Sequence, residues 1–186
     1  RWPAERFARV AAWLRDGGNE VLVTGNAAER PVAEEVAARA GLPPDRVLAG
    51  RTGLGELAAL VADARLVVCG DTGVAHLATA FATPSVVLFG PVAPALWGPP
   101  PHGPHVVLWA GRSGDPHGDR PDPGLLEIGV RDVLGAAADL LEVVDERATG
   151  GGHRRSRIPR FAPVRAAGRG GGRGRLHGQL PDRLAP

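Results

Sequence analysis

Residues 66–80 read LVVCGDTGVAHLATA, and the fold turns on how this stretch is read. Its opening run, Leu66 to Cys69, is short, rich in Val and free of polar alternation, the pattern of a strand buried on both faces. The run stops at Gly70 and sets Asp71, Thr72 and Gly73 side by side. It then resumes with helical spacing through Ala75, Leu77 and Ala78. A buried strand that turns at once into a helix is one half of a βαβ unit.

The same alternation extends in both directions. EVLVTG (20–25), RVLAG (46–50), LVVCGD (66–71), SVVLFG (85–90) and HVVLWA (105–110) predict five strands. ERPVAEEVAARAG (29–41), LGELAALVADA (54–64) and GVAHLATAFA (73–82) predict the helices between them. Strands alternating with helices specify right-handed crossovers and a parallel sheet covered on both faces, so the fold class is α/β, a Rossmann-like doubly wound sheet. A helix from Pro3 to about Arg15 opens the chain with no strand before it, which places a first strand just upstream of Arg1. VRDVLGAAADLLEVV (130–144) is a closing amphipathic helix.

Length and composition set the outer limits. The 186 residues suffice for one domain with a substantial core. No Met occurs, and RWPAERF reads like the interior of a longer protein, so a fragment is expected. All 22 basic residues are Arg. Residues 1–147 hold 13 Arg against 19 acids and residues 148–186 hold 9 against one, so the pI near 9.8 belongs to the tail. That tail is dominated by Gly, Pro and Arg, with too few apolar residues to offset the entropy of ordering, and is predicted to be disordered. Cys69 is the sole cysteine, which rules out an intrachain disulfide and fits a reducing compartment, the cytoplasm by default. No run reaches the roughly 20 apolar residues of a spanning helix, and contact with a membrane surface stays open.

The turn at 70–76 carries the chemistry. In doubly wound sheets, ligands bind beyond the carboxyl ends of the strands, where the amides of the following helices point. A helix N-terminus has unpaired N–H groups and a partial positive charge, which suits a phosphate. Thr72 can cap the helix or donate its hydroxyl, Gly73 removes the Cβ that would hold a phosphate off the backbone, and His76 follows Thr72 on the same helical face. Asp71 would repel a pyrophosphate, so it either caps the amides or accepts from a sugar hydroxyl or from His76. The alternative is that Asp71 and Thr72 are N-caps and nothing more, since both are favoured there.

Taken with RWPAERFARVAAWL, TGNAAE, LAGRTGLGELAALVADARLVVCGDTGVAHLATAFATPSVVLFGPVAPALWGP and the helix after PGLLEIGV, this turn resembles the C-terminal half of bacterial glycosyltransferase family 9, the ADP-heptose:lipopolysaccharide heptosyltransferases. The resemblance runs from residue 1 to about 145. It implies a GT-B architecture of two Rossmann-like domains, with residues 1–147 as the nucleotide-sugar-binding domain and 148–186 as the tail. It further implies that Thr72 and Gly73 contact the donor diphosphate, that Asp71 and His76 shape that pocket, and that Glu29 accepts from the donor ribose. The family's phosphate-neutralising Lys falls just before Arg1, whose own guanidinium is the available substitute. The catalytic base resembles an Asp of the missing N-terminal domain, so the isolated chain is expected to bind donor without turnover. The implied partners are a nucleotide-diphosphate sugar, with an ADP-sugar favoured, and a glycan or glycolipid acceptor held by the missing domain. Lipopolysaccharide biosynthesis, a cytoplasmic location and peripheral contact with the inner membrane face go with it. Neither cofactor nor metal is required.

Other signals are weaker. DPHGDRPD offers Asp115, His117, Asp119 and Asp122 at a spacing that fits no defined metal motif, and is read as a solvated loop. Trp97 either stacks on a ligand or closes over the sheet edge, while Trp2, Trp13 and Trp109 are read as packing residues. The competing function is a non-catalytic α/β module whose GRGGGRGR arm binds nucleic acid; nucleic acid is the less favoured partner.

Overall fold

A computed structural model describes residues 1–115 and 121–149. His117, Asp119 and the predicted tail from residue 150 onward lie outside the described residues. The helices are α1 (Ala4–Asp16), α2 (Arg30–Arg39), α3 (Leu54–Asp63), α4 (Gly73–Ala80), α5 (Pro94–Trp97), α6 (Pro123–Glu127) and α7 (Val130–Thr149). The strands are β1 (Val67–Gly70), β2 (Ser85–Leu88) and β3 (His105–Leu108), which form one parallel sheet in the order β1-β2-β3.

β2 is buried along its whole length, and its residues divide by parity between two cores. Val86 and Leu88 join Leu108 under α1, α6 and α7, against Trp2, Val10, Leu125, Ile128, Val133, Ala137 and Leu140. Val87 and Phe89 join Val107 on the opposite face, against Ala75 of α4. A period of two on the strand thus feeds helices on both faces, as the sequence predicts. The closing helix runs to Thr149, beyond the predicted end at 144, and the short helices α5 and α6 arise where no helix is expected.

The predicted strands 20–25 and 46–50 depart from the expectation. They join in a single parallel bridge, Val23 to Val47, and among the described residues no pairing links them to β1. Val23 N–H donates to Arg46 O, Leu48 N–H to Val23 O and Gly50 N–H to Gly25 O, each at 2.9 Å. These two segments have their own core, in which Val47 and Ala49 pack with Ala8 and Ala11 of α1 and with Ala33, Val36 and Ala37 of α2. Apolar runs alone therefore did not suffice for a continuous five-stranded ladder; a strand needs partners on its edges as well as helices on its faces.

α1 ties the halves together. Phe7 packs against both clusters, and Trp2 Nε1–H and Arg6 Nη1–H both donate to Ile128 O (2.9 Å each), anchoring the start of the helix to the α6–α7 junction. Gly18, at φ 82°, ends α1 in a conformation suited to glycine. One packing expectation fails. Trp13 is 38% exposed, on the outer side of α1, whereas Trp2 is buried and stacks edge-on against Phe7.

Candidate functional site

β1 ends at Gly70, and the chain climbs out of the sheet through Asp71, whose N–H still donates to Leu88 O at 3.2 Å. Thr72 is extended (φ −147°, ψ 172°) and occupies the N-cap position of α4, yet no side chain caps the helix. The Thr72 hydroxyl instead points back to Gly70 O at 3.4 Å, a long contact that leaves it largely available. Ala75 N–H closes the first turn on Thr72 O (2.9 Å). Above it the amides of Gly73 and Val74 have no side-chain acceptor. Asp71 and Thr72 are both exposed, and Thr72 stands at the N-cap without a side-chain bond to the helix. An open helix N-terminus is satisfied by water or by a ligand.

A Cβ built on Gly73 meets nothing within 4 Å, so the space above the amides is open. His76 lies one turn further along, exposed, and its charge acts on Asp71. Partial burial raises the Asp71 carboxyl above its ordinary value of 3.8, and His76 offsets part of the rise. Behind them, burial and the Asp71 charge push the Cys69 thiol up to about 12, so it stays protonated and inert. The structure therefore brings Asp71, Thr72, Gly73 and His76 onto one exposed rim.

Glu29 and Arg1 form a second group. Glu29 Oε2 accepts from Asn26 N–H (2.9 Å) while Asn26 Oδ1 accepts from Glu29 N–H (3.0 Å), a complete capping box. Glu29 Oε1 accepts from Arg1 Nη2 at 2.7 Å. The loop carrying Glu29 is locked from behind by Gly50, at φ 70°, where a Cβ would come within 2.8 Å of Ala27 Cα. Arg30 Nη1 adds a bond to Ala49 O at 3.1 Å. Both groups follow the carboxyl ends of parallel segments, Gly25 and Gly70. Asn26 has no role in the sequence reading, although N-x-x-E ahead of an Ala-rich helix is a legible capping signature.

The remaining rim loops are held by Trp109, whose Nε1–H reaches both Gly90 O and Arg112 O at 3.1 Å. Asp122, from the loop weighed as a metal site, caps α6 by accepting from Leu125 N–H at 2.9 Å. Among the described residues, no group of three or more His, Cys, Asp or Glu is gathered to hold a metal. Trp97 is 62% exposed and does not close over the sheet edge; its neighbour Leu96 and Leu54, the first residue of α3, also stand out from the surface. Sequence gives no signal for these, because an apolar residue at the first position or in a single turn of helix has too little periodicity around it to mark which way it faces.

A parallel sheet with helices on both faces and a helix N-terminus at its carboxyl rim makes this a Rossmann-like α/β domain. Residues 1–122 match glycosyltransferase family 9 (heptosyltransferase), and the chain belongs to that family. It is 37% identical over 99 residues to lipooligosaccharide heptosyltransferase 2 of Haemophilus influenzae, a match covering 50% of this chain and 28% of that protein. The glycosyl transferase family 9 structure from Veillonella parvula superposes with a TM-score of 0.67 at 30% identity, covering 76% of this chain and 42% of that one. The E. coli ADP-heptose lps heptosyltransferase II superposes at 0.65 with 29% identity and the same coverage. The chain thus spans about a third of the length of the curated relatives it matches, and less than half of each solved structure. Among the described residues, no helix is long and apolar enough to cross a membrane.

Proposed function

We propose that this chain is the donor-binding half of a GT-B heptosyltransferase, and that the uncapped N-terminus of α4 grips the diphosphate of an ADP-sugar. The observation that carries the reading is the open pair of amides at Gly73 and Val74, flanked by the Thr72 hydroxyl and His76. Membership of glycosyltransferase family 9 supports it, as does similarity to an enzyme described as acting with ADP-heptose on lipopolysaccharide.

In this scheme the acceptor hydroxyl oxygen attacks the anomeric carbon, the bond from that carbon to the diphosphate oxygen breaks, and the hydroxyl proton passes to a general base in a domain N-terminal to this one. Charge accumulates on the departing diphosphate. The α4 amides and the helix dipole are already aimed at it and need no reorganisation as the bond breaks. Thr72 donates its hydroxyl to the same oxygens. Glu29 has spare lone pairs beyond its two bonds, so it can accept from a ribose hydroxyl while Arg1 keeps a cation beside it. Asp71, exposed and partly neutralised by His76, faces the sugar and not the phosphates. Heptose is the favoured sugar, and a glycolipid reached at the inner membrane face is the favoured acceptor. The scheme uses no metal.

Titration calorimetry with ADP, UDP and inorganic phosphate tests this reading. ADP is expected to bind, UDP to bind more weakly, and Thr72→Ala to weaken ADP. Failure of ADP to bind the folded chain overturns the reading, and so does equal affinity in the Thr72→Ala variant. Truncation after residue 149 is expected to leave ADP binding unchanged.

A further inference from the structure

The two faces of the sheet are covered by different chemistry. Residues 72–111, forty in a row, include no Asp, Glu, Lys or Arg, where the chain's average of 23% charged residues would put about nine. Burial accounts for part of this neutrality, since β2 lies in the core from end to end. It does not account for the outward positions. Phe81, just past the end of α4, is 48% exposed, Leu96 and Trp97 of α5 are 70% and 62% exposed, and Pro100, Pro101 and His102 follow them on the surface. Topology sets these residues on one side. The order β1-β2-β3 takes both crossovers in the same direction, and parallel crossovers are right-handed, so α4 and the connection 94–104 cover the same face. That face is the one of Val87, Phe89 and Val107, against which Ala75 of α4 packs.

The opposite face, under α1, α6 and α7, turns charge to the outside: Glu5, Arg9, Asp132, Asp139 and Glu142 are all exposed. Solvated surface normally mixes both signs of charge, and exposed apolar residues scattered singly need no explanation. A helix and a whole connection without one formal charge, with Leu and Trp side by side on the outside, do need one. Depletion of charge together with Trp, Phe and Leu is the composition of the centre of a protein–protein contact. A lipid surface also suits an exposed Trp, but it draws proteins by Lys and Arg set beside the apolar side chains, and this face has neither. The connection is stiff, with Pro99, Pro100, Pro101 and Pro104 in it, so holding it against a partner costs little chain entropy. Residues 1–147 carry 13 Arg against 19 acids, and two bodies with that excess repel each other. They repel least where charge is absent, and a neutral surface is its own electrostatic complement in an isologous pair.

We infer that the neutral face formed by α4 and residues 94–104 is the contact between two copies of this chain, paired about a twofold axis with Leu96 and Trp97 at its centre. Each copy covers the other's exposed Trp97, Leu96 and prolines, and the charged face of α1 and α7 stays in water. The inference is independent of what the carboxyl rim binds.

Sedimentation equilibrium of the full chain in reducing buffer, over a hundredfold range of concentration, tests this. A monomer–dimer equilibrium is expected, with a Kd that does not rise from low to high salt, because the contact contains no ion pair for salt to screen. Trp97→Glu buries an unpaired carboxylate in the contact and is expected to raise the Kd at least tenfold while leaving the Tm of the dilute monomer unchanged. Leu96→Glu takes its place should the first variant fail to fold. Ala138→Glu, which adds the same carboxylate at an exposed position of α7, is the control and is expected to leave the Kd as it was. A monomer at every concentration overturns the inference. So does a dimer that the folded face variant leaves intact, or one that dissociates as salt is added, which would assign the association to the Arg-rich tail. A monomer that co-sediments with phosphatidylcholine vesicles, and no longer does so as Trp97→Glu, gives the face to a bilayer and overturns the inference as well.

Discussion

Replacement of Gly73 by Ala separates binding from stability. The added Cβ meets nothing within 4 Å, and Gly73 is not among the residues of positive φ, so the methyl introduces neither clash nor strain. Ala is the better helix former by up to about 1 kcal/mol in a helix interior. At the first position of α4 a gain of about 0.5 kcal/mol is reasonable, which raises Tm by about 1–2 °C in a domain of this size. Binding moves the other way, because the methyl occupies the space a phosphate oxygen needs to approach the amides of Gly73 and Val74. A hydrogen bond to a charged acceptor is worth about 1.5–3 kcal/mol, so losing one weakens ADP binding about tenfold to a hundredfold. Gly135→Ala is the matched control: it lies in α7, its Cβ also meets nothing, and it is expected to leave affinity untouched. Titration calorimetry with ADP and a thermal melt on each variant give both quantities. Unchanged ADP affinity in Gly73→Ala, with the fold intact, refutes the placement of the diphosphate over α4.

Three further outcomes are expected. In carbon-13 NMR titrations the Asp71 carboxyl should titrate above the ordinary 3.8, and His76→Ala should move it higher still, because the imidazole is what lowers it. Burial holds the His105 imidazole, which shares a 2.9 Å hydrogen bond with Ser85, below the ordinary 6.5. The unfolded chain then binds more protons than the folded one, so this share of stability is complete above about pH 6.5 and is lost as the pH falls through the lower folded value. Urea midpoints at pH 7.5 and pH 5 should differ more in the parent than in His105→Asn, and equal differences would dismiss the effect. Gly50→Ala forces a side chain onto φ 70° and within 2.8 Å of Ala27. It should cost about 1–3 kcal/mol in denaturant unfolding and loosen the loop that carries Glu29.

The apolar runs in 66–69, 85–89 and 105–109, with helix-spaced text after the first and in 130–144, made the three-stranded parallel core and its two-sided cover legible. Burial on both faces leaves a composition signal that survives without coordinates. The open turn at Asp71, Thr72 and Gly73 was legible for a related reason, since Gly and β-region residues at a strand-to-helix junction announce where backbone amides emerge. The roles within it were not legible. Asp and Thr read equally well as caps or as ligand contacts, and the choice depends on whether their oxygens reach the helix amides, a matter of tenths of an ångström and of torsion angles. Glu29 shows the converse: its dual engagement with Asn26 and Arg1 joins a local capping pattern to a contact 28 residues away.

Chain-local physics therefore determined the three central strands, the long helices, where they turn, and which turn carries emerging helix amides, because period, propensity and turn chemistry act over a few residues. Only the tertiary structure decided which strand edges find partners, that Trp13, Leu96 and Trp97 face outward, and that the α4 amides stay uncapped. Those outcomes depend on what lies across space from each group, and a linear pattern holds no record of that.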